Sequence, residues 1–160
     1  MKTLVNKIEM VFEPIKYPGD TLITYTNDPY HLEAVEIAQA LQGKHWKSLT
    51  NQELRYHAAS LSFFTPQAFC FYLPAYMIAS ITGYKLTDIL TQSLVGNLTM
   101  PTKPEASIAR FLANVAPLST MQSKAVLDYL EYTRATHGED FSDRSINRAI
   151  NRYWNRYRVD

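Results

Sequence analysis

Glu53 and His57 are four residues apart on a predicted helix, a spacing that places a carboxylate and an imidazole on the same helical face. Such a pair occurs both in metal ligation and in general acid–base catalysis, and His45 lies close enough in the sequence to join it. Glu53 also completes the pattern Thr50-x-x-Glu53, in which the glutamate caps the helix that Thr50 begins. His45, Glu53 and His57 therefore form a candidate site, and helix capping is the alternative interpretation.

Four arginines recur every four residues in the last predicted helix: Arg144, Arg148, Arg152 and Arg156. On one continuous helix this spacing produces a basic stripe, and Trp154 adds aromatic surface beside it. Arginine beside an exposed aromatic ring can bind phosphate and stack on nucleic-acid bases. The same stripe could face an acidic protein partner. The interpretation that the sequence favours is a solvated face whose guanidinium groups pair with acidic residues of the same chain.

Sequence signatures of the common cofactor sites and catalytic groups are missing. The five glycines, at positions 19, 43, 83, 96 and 138, form neither a P-loop nor a dinucleotide-binding motif. The histidines and the single cysteine lack the H-E-x-x-H or paired-cysteine spacing of metal sites. Cys70 lies between two phenylalanines on an apolar helix, which predicts a packed thiol rather than a nucleophile. We therefore expect no cofactor and no metal, and an enzyme is the less favoured class.

Charge is nearly balanced over the 160 residues, since 16 Lys and Arg against 15 Asp and Glu give a net charge of +1. Residues 141–160 hold five Arg and two Asp and are therefore +3, which leaves −2 on the rest of the chain. A balanced chain has no overall field to steer it towards nucleic acid or anionic lipid. We therefore expect another protein as the partner, rather than a nucleic acid or a membrane.

The longest stretch without a charged side chain covers residues 56–84 and contains Pro74 and several hydroxyl side chains. This composition predicts a buried core helix rather than a membrane span. Lys7 and Glu9 interrupt the apolar positions near the N-terminus, which is not the pattern of a secretory signal. With one cysteine, no internal disulfide can form. The expected location is the cytoplasm.

Helical periodicity and capping patterns recur along the chain, whereas the only strand-like alternation covers residues 21–25. We therefore predict an all-α fold of about seven helices in a single domain spanning residues 1–160. Its centre is an apolar helix that begins at Thr65-Pro66. Pro74 falls inside this helix and predicts a kink or break near residues 70–73.

Three further helix boundaries follow from capping patterns. Asp28 is predicted to cap a helix in which Pro29 takes the first position. The helix that begins at Thr50 is predicted to continue to Leu61. Ser142 is predicted to cap the last helix, which carries the arginine stripe.

Residues 62–77, S-F-F-T-P-Q-A-F-C-F-Y-L-P-A-Y-M, form the most specific motif of the chain. This run resembles the hallmark of a widespread family of small bacterial proteins with a domain of unknown function, whose members carry S-F-F-T-P-E-A-F-R-Y-Y-L-P-A-Y-M or close variants. Shorter pieces, Y-P-G-D at 17–20 and G-K-H-W at 43–46 among them, extend the resemblance over about residues 12–154. Gln67 and Cys70 depart from the glutamate and arginine of the family. The resemblance implies no activity, cofactor or catalytic residue.

Three functions from different classes remain open. The favoured one is a non-enzymatic protein-binding domain, such as an inhibitor or an immunity-type partner of another bacterial protein, because eleven tyrosines accompany no catalytic signature and tyrosine is enriched at binding hot spots. The second is a small-molecule-binding protein or enzyme whose site combines His45, Glu53 and His57 with Tyr72 and Tyr76. The third is nucleic-acid binding through the arginines of the last helix.

Overall fold

A computed structural model describes residues 1–87, 89–142 and 144–158 and has the predicted all-α fold. The α-helices of the described residues are Lys2–Phe12 (α1), Leu32–Leu41 (α2), Asn51–Tyr56 (α3), Pro66–Thr82 (α4), Leu90–Asn97 (α5), Glu105–Val115 (α6), Thr120–His137 (α7) and Ser145–Arg152 (α8). Short 3-10 turns lie at Asp20–Leu22, Trp46–Ser48, Ser60–Phe63, Gly138–Asp140 and Trp154–Tyr157. Within the same residues, β-structure is limited to one isolated antiparallel bridge between Thr24 and Phe64.

The central helix α4 is covered on every side, because its sequence is apolar on all faces. Helices α1, α3, α5 and α6 pack against it. Thr65 begins α4 as predicted, since its hydroxyl accepts a hydrogen bond from the Ala68 N–H at 3.2 Å. The helix continues past Pro74 without a break, so of the predicted kink or break near residues 70–73 the break does not occur. None of the described helices is both long and apolar enough to span a membrane.

Two tyrosines of α4 fasten the ends of neighbouring helices. The Tyr72 hydroxyl donates to the carbonyl groups of Leu41 at 3.0 Å and Lys44 at 3.2 Å, where α2 ends, and the Tyr76 hydroxyl donates to the His57 carbonyl at 2.9 Å, just after α3. The Leu41 and His57 carbonyl groups also accept a backbone N–H, from Lys44 and Ser60, so the tyrosines use the second acceptor site of these oxygens. Burial raises the pKa of both phenols, so both remain protonated donors at neutral pH.

Helix α2 begins three residues later than predicted, because Asp28 closes a turn before it. The Asp28 carboxylate accepts from the Tyr30 N–H at 2.9 Å, and the Asp28 carbonyl accepts from the His31 N–H at 3.0 Å. His31 is the residue that caps the helix, since its Nδ1 accepts from the Ala34 N–H at 3.4 Å. The prediction that Pro29 takes the first helical position is therefore wrong.

Helix α3 is shorter than predicted. It begins at Thr50, where both hydrogen bonds of the capping box with Glu53 are present, as predicted. It ends at Tyr56 rather than Leu61, because around His57 the backbone hydrogen bonds join residues three apart instead of four apart. The turn Ser60–Phe63 then leads directly into α4.

A buried cluster of hydroxyl groups joins α4 to α5 and α7. The Oγ atom of Ser80 lies 2.8 Å from Oγ1 of Thr91 and 2.8 Å from Oη of Tyr129, and all three side chains are buried. A serine hydroxyl has one donor and two acceptor sites, so Ser80 can serve both neighbours at once.

We predict that Ser80→Ala lowers the free energy of unfolding by about 1–3 kcal/mol, because it leaves two buried hydroxyls short of a partner. Urea denaturation measures this change. Thr82→Ala in the same helix is the matched control, since Thr82 is exposed and its loss should change stability by no more than about 0.5 kcal/mol. Equal effects of the two substitutions would contradict a stabilising role for the cluster.

Candidate functional site

Glu53 is held by its structural partners rather than directed towards a ligand. Its carboxylate accepts from the Lys44 ammonium at 2.7 Å, and from the backbone N–H and the hydroxyl of Thr50 at 2.8 and 2.9 Å. The bond from Lys44, followed by those from Thr50, lowers the pKa of Glu53 to about 2. The carboxylate is therefore ionised at neutral pH and occupied by helix capping, the alternative that the sequence also suggested.

The two histidines of the predicted site have separate surroundings. His45 begins the turn Trp46–Ser48, where its Nδ1 accepts from the Lys47 N–H at 3.2 Å and its ring packs on Trp46 and Phe71. His57 is half-buried just after α3, against the ring of Tyr56. Across the described part of the chain, no group of three or more His, Cys, Asp or Glu is placed to hold a metal ion. The three predicted residues thus do not converge on one ligand.

The arginine stripe is interrupted, because α8 is shorter than predicted. Ser142 does not cap this helix, which begins at Ser145 with Arg144 as its N-cap residue. The Ser142 hydroxyl instead forms a hydrogen bond of 2.5 Å with the Ser145 hydroxyl. The helix ends at Arg152, after which Tyr153 has a non-helical backbone with φ −143° and ψ −54°. The predicted continuous stripe is therefore wrong.

The four arginines consequently have different environments. Arg144 and Arg148 are exposed, whereas Arg152 is half-buried and donates to the Met100 carbonyl at 3.2 Å. Arg156 folds back over the ring of Tyr153, with its guanidinium carbon 4.2 Å from the ring centroid. Two of the four side chains thus help to fix the end of the chain rather than form one binding surface.

Trp154 lies in the core and provides no surface for stacking. It is fully buried, and its Nε1 donates to the Leu98 carbonyl at 2.7 Å. The ring contacts Phe111 and Tyr153 edge-on. The prediction that it adds aromatic surface beside the arginines is therefore wrong, and the case for nucleic-acid binding is weakened accordingly.

Arg148 borders a cleft of about 470 Å³ between α5 and α8. Its other lining residues are Gln92, Val95, Gly96, Thr99, Asp140, Phe141, Ser142 and Ser145. The Asp140 carboxylate already accepts from the Tyr84 hydroxyl at 2.9 Å. The cleft keeps one predicted arginine near a cavity, but Arg144, Arg152 and Arg156 do not line it.

A different surface gathers exposed aromatic side chains around Tyr25. Its hydroxyl lies 3.0 Å from His31 Nε2, and its ring stacks on Phe63 with the centroids 6.0 Å apart. The Arg110 guanidinium lies over the Tyr25 ring, 5.0 Å from its centroid. The same guanidinium donates a hydrogen bond to the Ser62 carbonyl. Tyr25 is still 51% exposed, so it is held rigidly while remaining accessible.

This surface continues along α2, and we call it the tyrosine face, defined by Tyr25, Tyr30, Leu32, Glu36 and Tyr56. Tyr30 and Leu32 flank His31 and are 90% and 76% exposed. Glu36 lies one helical turn beyond Leu32 and accepts from the Tyr56 hydroxyl at 2.8 Å. Tyr56 is itself 73% exposed. Large apolar side chains are thus presented to solvent on one connected surface, which is typical of interaction sites.

A groove of about 200 Å³ lies on the tyrosine face between α2 and α3. It is lined by Glu33, Glu36, Ile37, Tyr56, His57, Ala59 and Ser60. Burial lowers the pKa of the His57 imidazole below its usual 6.5, against the opposite effect of Glu36. His57 is therefore neutral at pH 7, and its ring supplies no positive charge to balance Glu33 and Glu36.

The charge pattern of the chain agrees with an acidic face. Residues 17–43 contain four carboxylates, Asp20, Asp28, Glu33 and Glu36, and no Lys or Arg. This run is a signal that the sequence alone contains. The exposure of Tyr30 and Leu32 had no comparable signal, because it depends on the turn that Asp28 closes.

We predict that Glu53 makes the free energy of unfolding depend on pH in the acidic range. Its folded-state pKa of about 2 lies below the ordinary 4.5, so its stabilisation is complete above pH 4.5 and is lost as the pH falls towards 2. Glu53→Gln keeps the capping geometry but cannot titrate. Urea denaturation at several pH values should show a smaller loss of stability between pH 4.5 and 2 for the variant than for the natural protein; parallel curves would contradict the assignment.

Comparison with known proteins gives a family but no function. No curated protein and no solved structure matches the chain. Residues 1–158 match the model of a family of unknown function, DUF6714. The match covers every element described above, from α1 to the last 3-10 turn. The chain therefore belongs to this family of unknown function.

Proposed function

We propose that the chain is a non-enzymatic protein-binding domain that uses the tyrosine face to bind a basic surface of another protein. The observation that carries the proposal is the exposure of Tyr30, Leu32 and Tyr56 on one surface beside two glutamates. Tyrosine is among the residues that most often dominate binding energy at protein interfaces.

The rigidity of Tyr25 supports a protein partner. Its ring is fixed between Phe63 and Arg110, and its hydroxyl by His31, so little conformational entropy remains to be lost when a partner binds. Tyr30, Leu32 and Tyr56 project into solvent rather than enclose a small molecule.

Charge defines the partner further. The groove between α2 and α3 has room for the end of a lysine or arginine side chain, and Glu33 and Glu36 supply the opposite charge. An acidic face that covers a basic site is one way in which inhibitors and immunity-type proteins act. That role is the specific form of the proposal, and it predicts a partner whose own function needs an exposed basic site.

We predict that photo-crosslinking from position 30 captures a basic protein. Benzoylphenylalanine in place of Tyr30, expressed in the source cells, should crosslink one partner, which mass spectrometry identifies. With the purified partner, Tyr30→Ala combined with Leu32→Ala should weaken binding by about 2 kcal/mol or more, roughly 30-fold. Glu33→Lys with Glu36→Lys should slow association, most strongly at low salt.

The controls use exposed residues outside the tyrosine face. Met121, 64% exposed on α7, is the matched site for crosslinking and for Met121→Ala, and Glu105→Lys on α6 is the matched charge reversal. Both should leave the affinity unchanged. Binding that survives the changes at Tyr30 and Leu32 but is lost on reversing Arg144 and Arg148 would contradict the proposal and favour the C-terminal arginines.

A further inference from the structure

A second cavity lies between α1, the turn Trp46–Ser48, α3 and α4, and we call it the Trp46 pocket. Its volume is about 150 Å³, roughly the room of five water molecules. Apolar residues form one part of the lining and polar residues the other: Leu49, Leu54, Ala75, Ile78 and Ala79, together with Glu9, Trp46, Lys47 and Asn51. None of these residues belongs to the tyrosine face, so the pocket is independent of the proposed function.

The two tryptophans of the chain differ in one respect that points to a ligand. Trp46 is 2% exposed and Trp154 is fully buried. Trp154 Nε1 donates to the Leu98 carbonyl, whereas Trp46 Nε1 is buried without a hydrogen-bond acceptor anywhere in the described chain. A buried N–H without an acceptor is rare because it is costly. The Nε1 atom itself is closed to solvent, so the indole must shift slightly before a molecule in the cavity that Trp46 lines can supply the acceptor.

The charges of the Trp46 pocket limit the chemistry of that molecule. The ammonium of Lys47 forms an ion pair with Glu13 and lies 5.3 Å from the centroid of the Trp46 ring, so its charge is already compensated. Glu9 is half-buried and makes no ion pair or hydrogen bond through its carboxylate within the described residues. This carboxylate would repel an anion but can accept from an N–H or O–H group.

We propose that the Trp46 pocket binds a small neutral molecule that joins an apolar tail to an amide or hydroxyl group. The oxygen of that group accepts from Trp46 Nε1, its N–H or O–H donates to Glu9, and the tail packs against Leu54, Ala75 and Ile78. The cavity limits the molecule to about five to ten non-hydrogen atoms. A ligand of this size binds in the millimolar to micromolar range.

Isobutyramide tests the proposal, because it has a branched apolar tail and an amide group. The two indole N–H signals are followed by ¹H–¹⁵N NMR during titration, with Trp154→Phe to assign them. We expect a saturable shift of the Trp46 signal and no shift of the Trp154 signal, whose N–H is already bonded. Glu9→Ala should weaken the binding about tenfold, while Glu105→Ala, at an exposed carboxylate on α6, should leave it unchanged.

Two results would overturn the proposal. The first is the absence of a saturable shift of the Trp46 signal with isobutyramide, 2-butanol and phenol, which would mean that water alone satisfies the Trp46 N–H. The second is an equal shift of both indole signals, which would be an effect of the altered solvent. Unchanged affinity in a folded Glu9→Ala protein would overturn the assignment of Glu9 as the acceptor.

Discussion

Burial of α4 along most of its length is the constraint on which the other elements depend. A helix that is apolar on all faces is stable only when neighbours cover each face, and α1, α3, α5 and α6 do so here. The hydroxyls of Tyr72 and Tyr76 then bond to the carbonyl groups at the ends of α2 and α3. Because these two helices form the walls of the acidic groove, the side chains of the core helix also set the geometry of the tyrosine face.

Local signals in the sequence predicted those features that neighbouring residues decide. The caps at Thr50 and Thr65 and the helical periodicity need only a few residues to form, and both caps are present. The all-α fold followed from the near absence of alternating patterns. Helix ends were predicted less well, since Asp28 can cap a helix or close a turn, and the sequence does not show which of the two happens.

The candidate sites depended on distant contacts, and the sequence therefore predicted them poorly. The regular spacing of the arginines assumed one helix, but packing of Tyr153 on Phe111 accompanies the end of α8 at Arg152. Trp154 was assigned to the surface although the Leu98 carbonyl, 56 residues away, accepts its N–H in the core. The acidic run at residues 17–43 could have been found by counting charges. The contacts that surround the Tyr25 ring come from Phe63 and Arg110, which are distant in the sequence.

The bridge between Thr24 and Phe64 has a consequence for the kinetics of the binding that we propose. The Tyr25 N–H donates to the Phe63 carbonyl at 2.9 Å, and the Thr65 N–H donates to the Ile23 carbonyl at 3.1 Å, directly before α4 begins. The segment that carries Tyr25 is thereby joined to the residues that lead into the most deeply buried helix, and these hydrogen bonds oppose its local opening. A partner would meet a surface that is already in its bound shape, so diffusion and orientation, rather than ordering of a loop, would limit the association rate.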